Sequence, residues 1–406
     1  MAQPNENKEN DKPELAFHER NLRTSVLSLL CQEGGMPRAL LSEKLRATPA
    51  MMTRCIQRLQ AEGLVHNEGR SKGSGGRMCN NVALNPDAGV LVGVEYNQRE
   101  ITTVAVNFAG QLEKQHSFPL PEDARNGAPD KLLPAITNAI QKTFKSAAKT
   151  RPLLGIAAVD PGVIDTSTGM TVASNALPEW TQVPIRQKLH DKFRVPVHLS
   201  NTTSAILAAV DRLELQRRHA DLFYLECRDG ISCAIKSNGR QILGSHGMAG
   251  ELTRCFVSTT AGGEYHPVYV EETFGFSAIR QRLHDAGHPA FQADTPRTDM
   301  VQNILSLAAK GDAQVAGILA ETWLRLGQMC GSLANMLDPE VIVLDPHFGQ
   351  ADDGSLRAFE QGLKQHMISP HDEQIQTIVS ALEEPAAPLG AALTLLDELI
   401  FGYGSS

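Results

Sequence analysis

Residues 20–63 carry their own punctuation, which divides them into three short helical stretches, and few folds use three helices spaced so closely. "NLRTSVLSLLCQEGG" sets Leu22, Val26, Leu29 and Leu30 at helical spacing and stops at Gly34-Gly35. "PRALLSEKLRA" is a second amphipathic stretch, with Leu40, Leu41 and Leu45 expected inward. "TPAMMTRCIQRLQAEG" opens with Thr48 as N-cap and Pro49 at the first helical position, and it closes at Gly63. Its period predicts an inward face of Met52, Cys55, Ile56 and Leu59. The outward face is then Ala50, Met51, Thr53, Arg54, Gln57 and Arg58, with Met51 also open to a core reading.

Next, "LVHNEG" and "MCNNVAL" alternate as two strands around "RSKGSGG". Three helices and a hairpin predict a winged helix-turn-helix over residues 20–86. In that arrangement the third helix enters the major groove, its N-terminal residues nearest the base edges. Glycines let the hairpin approach a groove closely. Arg77 is expected in a narrow minor groove, with Arg70 and Lys72 on phosphates. The expected DNA-binding set is Arg38, Thr48, Ala50, Met51, Thr53, Arg54, Arg58, Arg70, Lys72 and Arg77. The plainer alternative is a three-helix protein-interaction module with a loose hairpin.

Charge separates this segment from the rest. Residues 20–84 carry ten Lys/Arg against four Glu, while the whole chain has a net charge of −8. A basic module joined to an acidic body suggests a polyanion partner for the module alone, although most basic patches are solvated faces. At 406 residues the chain implies two or three domains. No run of about 18 uncharged apolar residues occurs, so no membrane span is expected. The polar start "MAQPNENKENDKPELAFHER" lacks a signal-peptide core, so the expected location is the cytoplasm, with residues 1–19 a disordered tail. The seven cysteines (31, 55, 79, 227, 233, 255 and 330) form no CxxC pair and are read as reduced packing residues.

From residue 87 onward, strands recur and helices separate the later ones. "NPDAGVLVGVEYNQREITTVAVNFAGQLEKQ" reads as two strands and a turn, and "PLLGIAAVDPGVIDTSTG" as a buried strand entering a Pro/Gly turn. "VPVHLSNTTSAILAAVDRL" reads as a strand, a short loop and a helix capped near Asn201 or Thr202. "DLFYLECRDGISCAIKSNGRQILG" adds two or three strands. "DAQVAGILAETWLRLGQMCGSLANMLDP" is a long amphipathic helix, followed by the strand "EVIVLD" and the final helix "APLGAALTLLDELI". The second half repeats the first in outline. Two α/β lobes are expected: a first over 87–200 closed by the helix 386–401, and a second over 201–385 for effector binding and oligomerisation.

The order and wording of these segments resemble the ROK family, which groups sugar-responsive repressors and sugar kinases. The resemblance runs from about residue 20 to near the end. It is carried by "NLRTSVLSLL", "EGLVHNEGRSKGSGGR", "NPDAGVLVGV", "GIAAVDPGVIDTSTG", "ALPEWTQVP", "VPVHLSNTTSA", "GSHGMAGEL", "NMLDPEVIVLD" and "PLGAALTLL". It implies a two-lobed actin/hexokinase-like (ribonuclease H-like) ATPase fold behind the winged helix. It also implies a repressor of carbohydrate uptake or catabolism genes, working as a homodimer or tetramer on a double-stranded DNA operator and answering to a sugar or sugar-derived effector.

Departures from the family pattern point away from catalysis. The family kinases place Asn-Asp at the head of the helix after the strand, the Asp acting as base; this chain has Asn201-Thr202, and threonine does not accept that proton at neutral pH. The phosphate loop is replaced by "CRDGIS", with Arg228 and Asp229 where glycine and threonine stand, and the later glycine pair by Asp345-Pro346-His347. No ATP use is therefore expected. The zinc-site frame reads "GELTR" with Arg254 in the His position, and only Cys255 and His266 follow, too few for a tetrahedral site. No zinc is expected, the loop being held instead by Arg254 on a carboxylate.

Of the family's sugar ligands, Asn201, Glu251 and Glu272 are kept, while Thr202 and Arg254 replace two others. The pocket is then open to three readings: another ligand, such as an acidic one drawn by Arg254; a sugar bound with altered specificity; or a vestige. Asn175 and His246, near the expected cleft, are read as making structural hydrogen bonds. A sugar kinase with an added DNA module and a protein-interaction scaffold are the alternatives of other classes.

Overall fold

The computed structural model describes residues 11–72, 78–228, 230–253, 255–261, 264–292, 299–368 and 371–405. Contacts divide the chain into two compact units. One comprises Met1–Gly162, Thr168–Ala208 and Ala387–Ser406; the other comprises Val163–Ser167 and Ala209–Ala386.

The first unit begins with α1 (Asp11–Glu33), β1 (Met36–Pro37), α2 (Arg38–Lys44), α3 (Pro49–Ala61), β2 (Val65–Lys72) and β3 (Met78–Leu84). The first helix takes in residues 11–19, which composition assigned to a disordered tail. Pro13 lies in its first turn, where a missing N–H costs nothing. Val26, Leu27 and Leu30 of α1, Leu41 of α2 and Met52, Ile56 and Leu59 of α3 form the buried centre of this segment. Leu40, expected inward, is exposed at the edge of the apolar face, about 100° round the helix from Leu41, which takes the core. Beyond the expected hairpin, β1 adds a third strand, pairing Met36 with Val82, so the sheet order is β1-β3-β2. A bulge between Glu68 and Arg70 is seated on Gly69, whose φ of 57° suits glycine.

The chain enters the body through residues 85–89. A mixed sheet in the order β10-β7-β4-β5-β6 follows, built from β4 (Val90–Tyr96), β5 (Glu100–Asn107), β6 (Leu112–Pro119), β7 (Leu153–Asp160) and β10 (Val197–Asn201). "VLVGVEY" is apolar almost throughout because β4 lies at the centre with both faces covered. β6, a strand missing from the sequence reading, lies at the sheet edge with Lys114, Gln115 and Ser117 exposed and Glu113, His116 and Phe118 half-buried. α4 (Pro129–Ala148) packs on β4 and β5, and α5 (Ile185–Phe193) on β10. The last helix, α14 (Ala386–Ser405), also lies on this sheet. A Cβ on Gly93 of β4 would fall 2.1 Å from the Pro388 carbonyl oxygen, so only glycine admits the helix there. Beside the sheet, buried Asp160 accepts from Tyr96 Oη at 2.6 Å, from Trp180 Nε1 at 2.9 Å and from the Gly162 amide at 2.8 Å. Thr171 donates to it as well.

α6 (Thr202–Leu213) follows β10 with no intervening loop. The division between units falls within it, after Ala208, rather than at the expected 200/201, because the helix continues unbroken. The second unit repeats the sheet plan: β11 (Leu222–Cys227), β12 (Ile231–Ser237) and β13 (Arg240–Gln241) form an antiparallel meander. β16 (Val341–Leu344) and β17 (Gln376–Val379) run parallel on the other side of β11, giving β13-β12-β11-β16-β17. The hairpin β14 (Phe256–Ala261) and β15 (Glu264–Tyr269) precedes α7 (Val270–Phe274), α8 (Phe276–Asp285), α9 (Met300–Ala309) and α10 (Ala313–Leu337). After β16 come α11 (His347–Gln350), α12 (Asp353–His366) and α13 (His371–Gln374). The rings of Trp323, Phe348 and Phe359 form the aromatic centre of the core.

α10 and α12 cross at glycines. A Cβ on Gly362 would stand 1.9 Å from Leu324 O, and one on Gly327 would stand 2.1 Å from Phe359 O. Gly362→Ala should therefore lower stability by about 1–3 kcal/mol through overpacking. Gly317, on the same α10, faces open space. Gly317→Ala should stabilise by roughly 0.5–1 kcal/mol through helix propensity. Urea midpoints of the two variants, read against the parent, distinguish a close crossing from a general effect of alanine.

Candidate functional site

The outer face of α3 is built by its cap and its buried stripe. Thr48 Oγ1 accepts from the Met51 amide at 3.3 Å, which sets the first turn. Met52, Cys55, Ile56 and Leu59 are buried, as their spacing requires. That leaves Ala50, Arg54, Gln57 and Arg58 exposed, with Met51 and Thr53 half-buried. Thr53 donates its hydroxyl to Pro49 O at 2.8 Å, so what it offers outward is its acceptor lone pairs and methyl group. Arg38, at the head of α2, is half-exposed. Arg70 and Lys72 lie on β2 past the Gly69 bulge, and Arg77 lies outside the described residues. Sequence spacing could not show what holds this face in place. Glu62, at the C-terminus of α3, receives both arms of Arg23 from α1, at 2.6 and 2.7 Å.

The residues carried over for effector binding fall in both units, and each is described in its own. Asn201 Oδ1 accepts from the Ser204 amide at 2.8 Å and caps α6, leaving its Nδ2 without a partner among the described residues. Thr202 follows as the first helical residue, half-buried. In the second unit the Glu251 carboxylate is half-buried and makes no hydrogen bond among the described residues. Burial first, and then the charge of Glu226, raise its pKa above the ordinary carboxylate value. Glu272 is exposed and accepts from the Tyr269 amide at 3.4 Å, closing the first turn of α7. Arg254 lies outside the described residues. Asn175 and His246 are exposed, and the structural hydrogen bonds expected of them are not found among the described residues.

At the turn between β11 and β12, two separate departures face one another. Arg228 Nε stands 3.0 Å from Glu226 Oε1 and 3.7 Å from Asp345 Oδ2, and its Nη1 is 4.0 Å from Glu384 Oε1. Ser232 donates to Glu226 at 3.1 Å, Tyr224 Oη to Asp345 at 3.4 Å and the His347 amide to Asp345 at 2.9 Å. The His347 ring also meets Asp345. Asp345 is fully buried and Glu226 nearly so. The guanidinium is thus committed to carboxylates of its own chain, and those carboxylates repel a polyphosphate. Asp229 lies outside the described residues.

The segment where the family holds zinc is the hairpin β14–β15, paired from Phe256–Tyr269 to Ala261–Glu264 with His266 opposite Thr259. Cys255 is exposed, and no group of three metal-binding side chains is placed together among the described residues. That donor set does not fit a tetrahedral zinc. The buried thiols Cys227, Cys233 and Cys330 are free, and Cys55 is buried in α3; burial pushes the Cys233 thiol up to about 12. No helix among the described residues is long and apolar enough to cross a membrane.

The ROK family profile matches residues 91–398. The chain is 22% identical over 368 residues to the DNA-binding transcriptional dual regulator NagC of Escherichia coli (strain K12), covering 89% of each. It is 22% identical over 385 residues to a xylose repressor of Caldicellulosiruptor bescii, covering 92% of this chain and 95% of that one. A solved ROK family transcriptional regulator, described as a homolog of the E. coli MLC protein, superposes with a TM-score of 0.78 at 20% identity. That match spans 96% of this chain and 99% of the other. A ROK hexokinase from Thermus thermophilus superposes with a TM-score of 0.62 at 21% identity, over 75% of this chain and 97% of its own.

The Arg23 fork holds the Glu62 carboxyl below its ordinary pKa of 4.5. Its contribution is therefore present above pH 4.5 and lost as pH falls through the lower folded value. Glu62→Gln should lower stability by about 0.5–1 kcal/mol at neutral pH, solvent screening keeping the effect small. It should also flatten this part of the acid-side slope, which urea midpoints measured from pH 7 to pH 3 will register.

Proposed function

This chain belongs to the ROK family, and from that premise we propose that it is a sugar-responsive DNA-binding transcriptional repressor of carbohydrate uptake or catabolism genes. Residues 20–86 act as a winged helix-turn-helix on a double-stranded operator, and the two α/β units act as the effector domain. The reading extends to a cytoplasmic homodimer or tetramer that uses neither ATP nor zinc and carries out no phosphotransfer.

One observation carries the DNA-binding part: α3 buries one stripe completely and turns Arg54, Gln57 and Arg58 to solvent from a capped N-terminus, with a basic hairpin following. Helix, cap and hairpin are what a major-groove reader with a wing requires. The names of the relatives, repressors and a transcriptional regulator, agree with it. Against phosphotransfer stand Thr202, where the family base would be, and Arg228, engaged with Glu226 and Asp345 where phosphates would sit. A zinc-free hairpin is favoured because Cys255 and His266 are too few donors for a tetrahedral site.

The effector reading rests on Glu251. A half-buried carboxylate with a raised pKa and no hydrogen bond among the described residues gains most from a ligand hydroxyl or amide that donates to it. The unused amide of Asn201 is a second polar group suited to a sugar.

Duplexes selected from a randomised pool by the full-length protein supply the probe for the DNA test. On the best of them, Arg54→Ala should cost about 1–3 kcal/mol and relax the base preference at one position. Arg77→Ala should shrink the salt slope by about one unit. Anisotropy isotherms indistinguishable from the parent in both variants would remove the assignment of head and wing. For the effector, thermal shifts with hexoses, N-acetylhexosamines, sugar phosphates and sugar acids should identify a stabilising ligand, and Glu251→Gln should lose most of that shift. A shift retained in full would place the ligand elsewhere.

A further inference from the structure

The five residues joining the DNA-reading segment to the body are fastened on both sides. On the head side, the Asn85 amide donates to Leu64 O at 2.9 Å, and Asn85 Nδ2 donates to Gly63 O at 2.7 Å. Its Oδ1 accepts from the Asp87 amide at 3.1 Å and folds the linker into a single turn of 3-10 helix, Pro86–Ala88. The partners on the head, Gly63 and Leu64, form the turn between α3 and β2, so Asn85 grips the junction of the reading helix and the hairpin.

On the body side the hub is Arg151, at the start of the approach to β7. Its Nη1 donates to Pro86 O at 3.2 Å and to Glu113 Oε1 at 2.9 Å. Its Nη2 donates to Glu113 Oε2 at 2.6 Å and to Ala147 O at 2.7 Å. Asp87 stands 3.8 Å from the same guanidinium. Glu113 is itself held by Asn107 Nδ2 at 3.2 Å. Arg151 is 12% exposed and Glu113 25%, so this fork is sheltered from solvent on most of its surface. The exit is equally confined. The Val90 amide donates to Pro152 O at 2.9 Å, and a Cβ on Gly89 would meet the Leu154 side chain at 2.4 Å. A separate tie joins the same two parts, where Cys31 Sγ of α1 lies 3.7 Å from Asp397 Oδ1 of α14.

A five-residue flexible tether would let the head turn freely. In this one the Asn85 side chain, the Asn85 and Pro86 carbonyls and the amides of Asn85, Asp87 and Ala88 are all engaged, and the planar guanidinium fixes direction as well as distance. We propose that Asn85 and the Arg151–Glu113 fork are positioning residues for DNA recognition: they lock the reading head to the first α/β unit in one orientation, so that operator half-site spacing is read by the body rather than by the head. The inference rests on the DNA-binding reading above and on an assembly that carries two heads. It deepens that reading by stating how an effector bound in the body can reach the DNA. With no slack at residues 85–89, any movement of the unit is a movement of the head.

The test uses the full-length protein and the best duplex it selects from a randomised pool, together with versions of that duplex in which five base pairs are inserted between the half-sites. Five base pairs turn one half-site to the opposite face of the helix. Heads locked to their units cannot follow, and the wild type should lose about thirtyfold or more in affinity as the second contact is forfeited. Arg151→Ala cuts the junction from the body side and Asn85→Ala from the head side. Each should reduce the penalty to about threefold or less, while affinity for a duplex with a single half-site and the salt slope stay within about twofold of wild type. Arg151→Lys, which keeps the charge but not the planar fork, should fall with Arg151→Ala. Circular dichroism melts confirm that each variant is folded at the assay temperature. If Arg151→Ala does not fold, Asn85→Ala alone decides. A wild type indifferent to spacing, or variants that keep its penalty, would overturn the lock. Failure of the wild type to select any duplex would instead overturn the DNA-binding reading, and the lock with it.

Discussion

Backbone meets backbone at glycine in both units, and the packing of each follows from that constraint. In the first, the start of α14 rests on the central strand because Gly93 has no Cβ to collide with Pro388 O. In the second, Gly362 and Gly327 bring α10 and α12 into main-chain contact, and Gly250 does the same against Cys233 O. Such approaches trade side-chain burial for close complementarity, and they tolerate no larger residue at the contact. The same requirement explains the glycine in "VLVGVEY", which would otherwise weaken a strand buried on both faces.

On that frame the two units share one strand plan. Both sheets run as an antiparallel meander continued by two parallel strands, in the same order. Yet the turn after β11 presents Arg228 to Glu226 and Asp345, and the hairpin β14–β15 stands where a metal loop belongs in the family. Glu251 remains half-buried and without a hydrogen-bond partner among the described residues.

Local order was legible wherever one element decides its own residues. The buried stripe of α3, the Thr48 cap and the long amphipathic helix α10 follow from spacing and, at Thr48, from cap chemistry. Leu40 failed because spacing alone does not set the edge of an apolar face, and only packing, as against α3, shows that Leu41 is inside it and Leu40 is not. β6 was missed because an exposed edge strand such as "LEKQHSFP" carries no apolar run. The fastening contacts were beyond reach for a different reason. Arg23 and Glu62 are 39 residues apart, and Arg151 meets Pro86 across 65, so no window holds both partners. Arg228 and Asp345 each stood out alone as departures, but nothing in the chain order says that they face each other. Asn201 was legible as a cap, and its Oδ1 accepts from the Ser204 amide at the head of α6.

The position of α14 has a consequence for biogenesis. The strands of the first sheet leave the ribosome long before the helix that covers them, since residues 209–385 must be made in between. During that interval the face around Gly93 is open to water and to any chaperone that recognises apolar strands. A message truncated before codon 386 would yield a reader segment complete in sequence on a body that cannot close. Such a product should be an aggregation-prone substrate for proteolysis rather than a dominant competitor for operators.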